Sequence, residues 1–244
     1  MAGHEMMIGL PRADAEQDPT TVSEGVAYTI KKIREHLVAG EGPKLRLLPE
    51  MITVDEILAQ LPEQQTLPTG GGDMILGVEE SRLGPLMFNT RAESHLYLFG
   101  DSKTGKSTFL RSIMKEITRL YTPDQAKIIA LDMRRSLMSD MPQDYVLRYL
   151  TNHQAAMKDL RDTAEFLRKR LPGPDVTAEQ IRERSWWKGP ELWILVDDYD
   201  LAITTSGNPL AELVDLLPQA GDIGLHVILT RRMGGAARAS FEKV

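Results

Sequence analysis

Apolar residues in this chain follow two spacings, one typical of buried strands and one typical of helices. Four short runs are almost uninterrupted and are predicted as buried strands: 95–99, 127–132, 192–196 and 225–230. Between them, apolar residues recur every three or four positions, which predicts helices over 106–120, 152–171 and 209–217. Strands that alternate with helices indicate an α/β domain, with a mainly parallel sheet covered by helices on both faces.

The chain before residue 74 has a different pattern. We expect residues 1–20 to be disordered or partly vector-derived, and 21–73 to form a helical and linker segment. Helices are predicted over 22–38 and 53–60, and the prolines and three consecutive glycines between 61 and 73 indicate a linker. The main domain is predicted over 74–244, and it begins with a hairpin whose strands are 74–78 and 85–89.

The loop between the strand at 95–99 and the helix at 106–120 matches a phosphate-binding pattern. Gly100 is followed by four residues and then by Gly105, Lys106 and Ser107, which is the P-loop sequence in its required strand–loop–helix context. We expect Lys106 to reach the β- and γ-phosphates of ATP and the Ser107 hydroxyl to bind Mg²⁺. Backbone N–H groups of the same loop and the helix N-terminus favour phosphate. The predicted nucleotide-binding residues here are Gly100, Asp101, Ser102, Lys103, Thr104, Gly105, Lys106, Ser107 and Thr108.

Two acidic residues follow the strand at 192–196 and are predicted to complete the site. Four apolar residues before Asp197 match a Walker B strand, whose carboxylate holds Mg²⁺. Asp198 stands where many motor ATPases have a glutamate that polarises the attacking water, and its shorter side chain leaves fast hydrolysis in question. Thr230, at the end of the next strand, is either a γ-phosphate sensor or a plain strand end.

Pairs of arginines follow two of the predicted strands. Arg231 and Arg232 are candidates for an arginine finger that acts across a subunit interface, and a solvated basic turn is the favoured alternative. Arg134 and Arg135 carry the same two interpretations. The basic run 168–170 ends a predicted helix, where positive charge suits the helix dipole.

Composition narrows the class of protein. The chain has 244 residues, a formal net charge of −6 and no cysteine, which excludes disulfides and thiolate metal sites and fits a reducing cytoplasm. No apolar run approaches the length of about 20 residues that spans a bilayer. The acidic balance counts against a nucleic acid as the main ligand, since such proteins are usually basic.

Three strings carry a resemblance to a known family: 95–108, 192–201 and 224–238. They resemble the EccC ATPases of ESX (type VII) secretion systems, which are of the FtsK/SpoIIIE type, and among their tandem modules the C-terminal one. The resemblance implies a RecA-like, FtsK-type fold and a cytoplasmic, ATP-binding motor module that is associated with the inner membrane through a secretion complex. It also implies a hexamer or a tandem array of modules. The expected substrate is a small WXG-type helical-hairpin dimer, recognised by its C-terminal signal.

Two departures from the family pattern keep other functions open. Asp198 replaces the usual glutamate, and the chain stops soon after Arg238, where the family continues with a final strand region, so a truncated C-terminal end is expected. One alternative function is an FtsK-type DNA translocase, which the net charge disfavours. The other is a nucleotide-gated docking module with little hydrolysis, which the aspartate at 198 favours.

Overall fold

The computed structural model describes residues 12–36, 47–60 and 73–234. The chain divides into two compact units, Met1–Leu47 and Leu48–Val244. The first unit contains helix α1 (Val22–His36), which follows a short 3₁₀ turn at Pro19–Thr21. This helix confirms the one predicted over 22–38 as far as His36. The next two positions, residues 61–72 of the linker predicted over 61–73, and the tail at 235–244 lie outside the described residues.

The second unit begins with a short capped helix and a hairpin. Thr53 caps α2 (Val54–Ala59), and both halves of the predicted capping box with Glu56 are formed. Strands β1 (Asp73–Val78) and β2 (Pro85–Asn89) pair in the antiparallel direction as a separate two-stranded sheet, which confirms the predicted hairpin. The buried carboxylate of Glu116 accepts a hydrogen bond from the Ile75 backbone N–H at 2.7 Å and thereby connects the hairpin to the rest of this unit.

A five-stranded parallel sheet forms the centre of this unit. Its strands are β3 (His95–Phe99), β4 (Ala126–Asp132), β5 (Val146–Leu150), β6 (Glu191–Asp197) and β7 (Leu225–Arg231). They are arranged in the order β3-β7-β6-β4-β5, and every adjacent pair is parallel. The helices between them are α3 (Lys106–Leu120), α4 (His153–Arg168), α5 (Ala178–Glu183), α6 (Tyr199–Ala202) and α7 (Ala220–Ile223).

Both faces of the three central strands, β4, β6 and β7, are buried, as their continuous apolar runs predict. The strand at 95–99 was also predicted to be buried, but all residues of β3 are only half-buried, because β3 lies at the edge of the sheet. Successive residues of β6 point to opposite faces: Trp193 and Leu195 belong to the core cluster that includes α3, and Ile194 belongs to the cluster that includes α4. All residues of β7 are buried. Runs of this kind are typical of parallel strands covered on both sides. Because the strands are parallel, the carboxyl ends of β3, β4, β6 and β7 meet at one edge of the sheet, which we call the carboxyl edge.

The helix predicted over 209–217 is present, but it has the 3₁₀ form and extends from Pro209 to Gln219. The prediction that Pro218 ends it is wrong, because the backbone continues into α7. Leu210, Leu213 and Leu216 are fully buried and recur at intervals of three residues. That spacing places them on one face of a helix with three residues per turn, so burial of this face favours the 3₁₀ form.

The three residues of the basic run 168–170, at the end of α4, differ in their exposure to solvent. Lys169 is exposed, but Arg170 is buried and donates hydrogen bonds to the carbonyl groups of Ile223 at 3.0 Å and Pro190 at 2.9 Å. Its guanidinium lies 4.1 Å from the centroid of the Trp187 ring, and burial lowers the pKa of the Arg170 side chain to about 10. The chain turns inward after the last helical turn, so the third basic residue joins two loops to the core.

Gly224 ends α7 in a conformation that leaves no space for a side chain. Its φ is +68°, and an added Cβ would lie 2.6 Å from the Trp187 ring. That ring is held in place by Arg170 and by a hydrogen bond from its indole N–H to the Asp222 carbonyl at 2.8 Å. We expect Gly224→Ala to lower the free energy of unfolding by about 1–3 kcal/mol, as measured by urea denaturation.

Gly84→Ala provides the matched control for this substitution, because an added Cβ at Gly84 would contact nothing within 4 Å. It should change the stability by less than about 0.5 kcal/mol. Equal effects of the two substitutions would contradict the account given for Gly224.

Candidate functional site at the carboxyl edge

The loop between β3 and α3 has the backbone geometry that a phosphate cradle requires. Gly105 adopts φ +90° immediately before the first turn of α3, and Lys103 has φ +65°. An added Cβ at Gly100 would lie 2.5 Å from the Thr104 hydroxyl oxygen and would force that side chain to move. The residues from 101 to 105 are exposed, and the start of a 15-residue helix faces the same side. The loop and the helix N-terminus together favour an anion at this place.

Lys106 is the buried cation of this loop. Its ammonium group donates a hydrogen bond to the carbonyl of Asp101 at 2.9 Å and lies 3.7 Å from a carboxylate oxygen of Asp198. The Thr104 hydroxyl donates to the same Asp101 carbonyl at 2.9 Å. The loop therefore curves around its own lysine, which is aimed at the carboxyl edge.

Asp197 is the point where several elements meet. Its side chain accepts hydrogen bonds from the hydroxyl groups of Ser107 at 2.7 Å and Thr230 at 3.0 Å, and a short one from Ser136. These three residues come from α3, β7 and the turn after β4, so one carboxylate connects three neighbouring elements. An aspartate and a serine hydroxyl in direct contact form an oxygen-only set, which suits Mg²⁺ with several retained waters.

Asp198 follows in a strained, left-handed conformation with φ +52°. Its backbone N–H donates to the Thr230 hydroxyl at 2.9 Å, so Thr230 contacts both acidic residues. One oxygen of its carboxylate pairs with Arg134 at 3.0 Å. The other is buried, accepts no hydrogen bond and lies nearest to Lys106. Strained residues of this kind cluster at functional sites.

A family model described as FtsK/SpoIIIE matches residues 68–238, which is more than half of the chain and includes every residue of this site. The chain belongs to the FtsK/SpoIIIE family. The sheet order, the phosphate loop and the paired acidic residues agree with the RecA-like P-loop ATPase fold.

Named relatives of this FtsK/SpoIIIE chain come from secretion systems. It is 40% identical over 242 residues to the ESX secretion system protein EccC of Thermomonospora curvata, and 36% identical over 242 residues to the ESX-4 secretion system protein EccC4 of Mycobacterium tuberculosis. Each alignment covers 99% of this chain and 18% of the relative. The chain thus spans about a fifth of the length of these relatives.

Two solved structures agree with the fold in detail. The cytoplasmic domain of the type VII secretion ATPase EccC of T. curvata matches with a TM-score of 0.74 and 41% identity, over 93% of this chain and 26% of that one. T. curvata EccC with ATPases 2 and 3, in complex with a signal sequence peptide, matches with a TM-score of 0.73 and 41% identity, over 95% of this chain and 40% of that one.

The FtsK/SpoIIIE site includes residues that the sequence patterns did not single out. Asp132 is fully buried at the end of β4 and organises residues 132–137, which we call the Asp132 turn. Its carboxylate accepts hydrogen bonds from the Leu137 N–H at 2.7 Å, the Tyr149 hydroxyl at 2.6 Å and the Ser136 hydroxyl at 3.2 Å. Burial and this acceptor raise the pKa of the Tyr149 hydroxyl. One feature of the sequence could have identified Asp132 as a site residue: an apolar run ends in aspartate at 132, just as another does at 197.

The candidate arginines are in different environments in this FtsK/SpoIIIE chain. Arg231 is buried, donates to the Asp200 carboxylate at 2.9 Å and lies 5.4 Å from the centroid of the Tyr199 ring. The Arg232 backbone N–H donates to the same carboxylate at 3.1 Å. Arg231 is thus held within its own chain, whereas Arg134 reaches the candidate site directly.

Among residues 12–36, 47–60 and 73–234, no group of three or more histidine, cysteine or acidic side chains forms a metal cluster. Over the same ranges, none of the helices combines the length and the apolar character that crossing a bilayer requires. The predicted residues at positions 106, 107, 197, 198 and 230 lie together at the carboxyl edge. Ser102 and Thr108 are exposed beside them.

Proposed function

We propose that this chain binds ATP with Mg²⁺ and hydrolyses it, as an ATPase module of a type VII protein-secretion motor. One observation carries the proposal: Lys106, Ser107, Asp197, Asp198 and Thr230, which come from three elements, meet at the carboxyl edge beside an exposed phosphate loop. In open α/β sheets, ligands bind at the carboxyl ends of the strands.

Each residue has a role that follows from its chemistry. Lys106 would bind the β- and γ-phosphates, and the loop N–H groups from residues 100 to 108 would surround the remaining oxygens. Ser107 and Asp197 would hold Mg²⁺, which when bound neutralises part of the phosphate charge. Thr230 contacts the backbone N–H of Asp198 and the carboxylate of Asp197 and would sense the terminal phosphate from this position.

Asp198 would position or deprotonate the attacking water. It is one methylene shorter than glutamate, and two cations already flank it. We therefore expect tight nucleotide binding and slow basal hydrolysis. A docking module in which the nucleotide acts mainly as a gate is the second candidate function, and this environment of Asp198 favours it.

The proposed setting comes from the relatives. Because a related ATPase has been solved in complex with a signal sequence peptide, we propose that this chain takes part in recognising the C-terminal signal of WXG-type substrate dimers. It would do so in the cytoplasm, in a hexamer or in tandem with other ATPase modules, attached to the inner membrane through the secretion complex. No nucleic acid is expected as a ligand.

Nucleotide binding is tested by titrating ATP into the protein with and without Mg²⁺, by calorimetry and by the shift of the thermal unfolding midpoint. We expect saturable binding that weakens when Mg²⁺ is omitted, because Mg²⁺ held by Asp197 and Ser107 would neutralise part of the phosphate charge. Asp197→Asn should lose most of this Mg²⁺ dependence. The absence of both binding heat and a thermal shift on adding ATP with Mg²⁺ would contradict the proposal.

The secretion assignment is tested separately from nucleotide binding. A fluorescent secretion-signal peptide should bind with an affinity that changes when ATP is present, whereas a scrambled peptide should not bind. Binding of DNA with a steep dependence on salt, together with no binding of the signal peptide, would favour the translocase instead.

A further inference from the structure

Arg134 occupies an unexpected position in the candidate site. Its guanidinium lies 3.0 Å from one oxygen of the Asp198 carboxylate, while the Lys106 ammonium lies 3.7 Å from the other oxygen. The Asp198 and Lys106 side chains are 10% and 9% exposed, whereas the Arg134 side chain is 51% exposed. A single buried carboxylate thus separates the P-loop lysine from an arginine whose end can move.

The fold places Arg134 there through the pairing of two strands. Asp132 and Asp197 are register partners in the adjacent parallel strands β4 and β6. The Asp132 turn then fixes the arginine backbone, because the Asp132 carboxylate accepts the Arg134 N–H at 3.2 Å and its carbonyl accepts the Arg135 N–H at 3.2 Å. The base of the Arg134 side chain is therefore fixed, and its end is free to change partner.

The charges at this point favour such an exchange. Two cations flank the Asp198 carboxylate, and the oxygen that faces Lys106 accepts no hydrogen bond. A triphosphate carries more negative charge than one carboxylate, so it should displace Asp198 from Lys106. Arg134 is bound to the other oxygen of that carboxylate. Once Asp198 moves away from Lys106, Arg134 is the neighbouring cation that can bind the terminal phosphate.

We propose that Arg134 is a catalytic residue that acts within its own chain by exchanging Asp198 for the γ-phosphate. This rests on the proposed function as an ATPase. With Arg134 on the γ-phosphate, Asp198 becomes available to the attacking water. The water oxygen forms a bond to the γ-phosphorus, the bond from that phosphorus to the β,γ-bridging oxygen breaks, and the water proton passes to Asp198 and then to solvent. Arg134 stabilises the charge on the equatorial oxygens, as an arginine supplied in cis does in other NTPases.

This assignment separates Arg134 from the other arginine candidates. Arg231 is buried and its Nε–H is bound to Asp200, so its guanidinium has less freedom to change partner than the exposed end of Arg134. Arg135 is adjacent to Arg134 and also exposed, but its backbone has the left-handed conformation, with φ +57°. Arg134 alone among these residues contacts an acidic side chain of the candidate site.

The test compares ligands that differ at the γ-phosphate. Calorimetry with Mg²⁺ should measure the affinities of the protein for ADP and for the slowly hydrolysed analogue ATPγS, with Arg134→Gln and, as a matched control, Arg135→Gln. We expect Arg134→Gln to weaken ATPγS binding about tenfold, because a charge-assisted contact is lost, and to leave ADP binding within about twofold. Turnover of ATP should fall roughly 100-fold, and Arg134→Lys should recover part of both losses.

The possible results distinguish this inference from the proposed function. Failure of the wild-type protein to bind either nucleotide would overturn both. If the wild-type protein binds both, then equal losses for ADP and ATPγS, no loss at all, or faster turnover in Arg134→Gln would overturn the role of Arg134 alone. Arg135→Gln should behave as wild type. If it lowered ATPγS affinity and turnover as much as Arg134→Gln does, the change in net charge alone would explain both results and the role of Arg134 would be overturned.

Discussion

Lys106→Ala is expected to lower ATP turnover about 100- to 1,000-fold, the cost of removing one preorganised electrostatic contact from a reaction centre. Lys106 is the buried cation of the phosphate loop, with its ammonium group 2.9 Å from the Asp101 carbonyl and 3.7 Å from Asp198. Without it, no side chain of the loop carries positive charge into the carboxyl edge. Steady-state release of phosphate at saturating ATP and Mg²⁺ measures the effect.

Lys103→Ala is the matched control for Lys106→Ala. Lys103 lies in the same loop and carries the same charge, but it is exposed. Its φ of +65° is as unfavourable for alanine as for lysine, so the backbone strain does not change. We expect turnover within a fewfold of wild type. Loss of activity in Lys103→Ala and not in Lys106→Ala would contradict the assignment of the phosphate site, and robust turnover by wild type would exclude a pure docking module.

Arg170→Ala is expected to lower the free energy of unfolding by about 3 kcal/mol. The substitution removes two charge-assisted hydrogen bonds, to the carbonyl groups of Ile223 and Pro190, and leaves those acceptors without their partner. It also removes a cation placed 4.1 Å from the centroid of the Trp187 ring, which adds to the loss. Urea denaturation followed by tryptophan fluorescence and by circular dichroism measures the change.

Lys169→Ala is the control for this loss of stability. Lys169 precedes Arg170 directly and has the same charge, but it is exposed, so its removal should change stability by less than about 0.5 kcal/mol. Nucleotide affinity should remain unchanged in both variants, because Arg170 contacts residues at the amino ends of β6 and β7, opposite the carboxyl edge. A stable Arg170→Ala protein would mean that its guanidinium contributes little to folding.

The two predictions concern opposite edges of one sheet, and buried polar groups are distributed unevenly between them. Six of the ten buried polar or charged side chains of the described residues lie at the carboxyl edge: Lys106, Asp132, Asp197, Asp198, Thr230 and Arg231. Polar groups without compensating contacts are costly to bury. Their concentration at one place, beside a strained aspartate, fits a site kept for binding and chemistry at the expense of stability.

The elements that the sequence predicted correctly are those with a strong local pattern. The strand at 192–196 and the helix at 106–120 were predictable because apolar spacing reports which faces become buried. The sequence predicted a helix over 209–217 but did not reveal its 3₁₀ form, because leucines at intervals of three and four residues overlap in so short a segment. The sequence related the basic run 168–170 to the helix dipole and did not reveal that Arg170 is buried, because position at a helix end carries no information on where the following loop turns.

The sequence by itself determined the phosphate loop and the acidic pair, since both are contiguous motifs whose glycines and apolar neighbours dictate the local backbone. Only the tertiary structure decided that β4 lies beside β6 in parallel register, which brings the Asp132 turn to the Walker B aspartate. Ser136 and Arg134 enter the site for that reason alone. Their contacts with Asp197 and Asp198 join positions more than 60 residues apart, and no local spacing specifies such a pairing because it depends on the order of strands in the sheet.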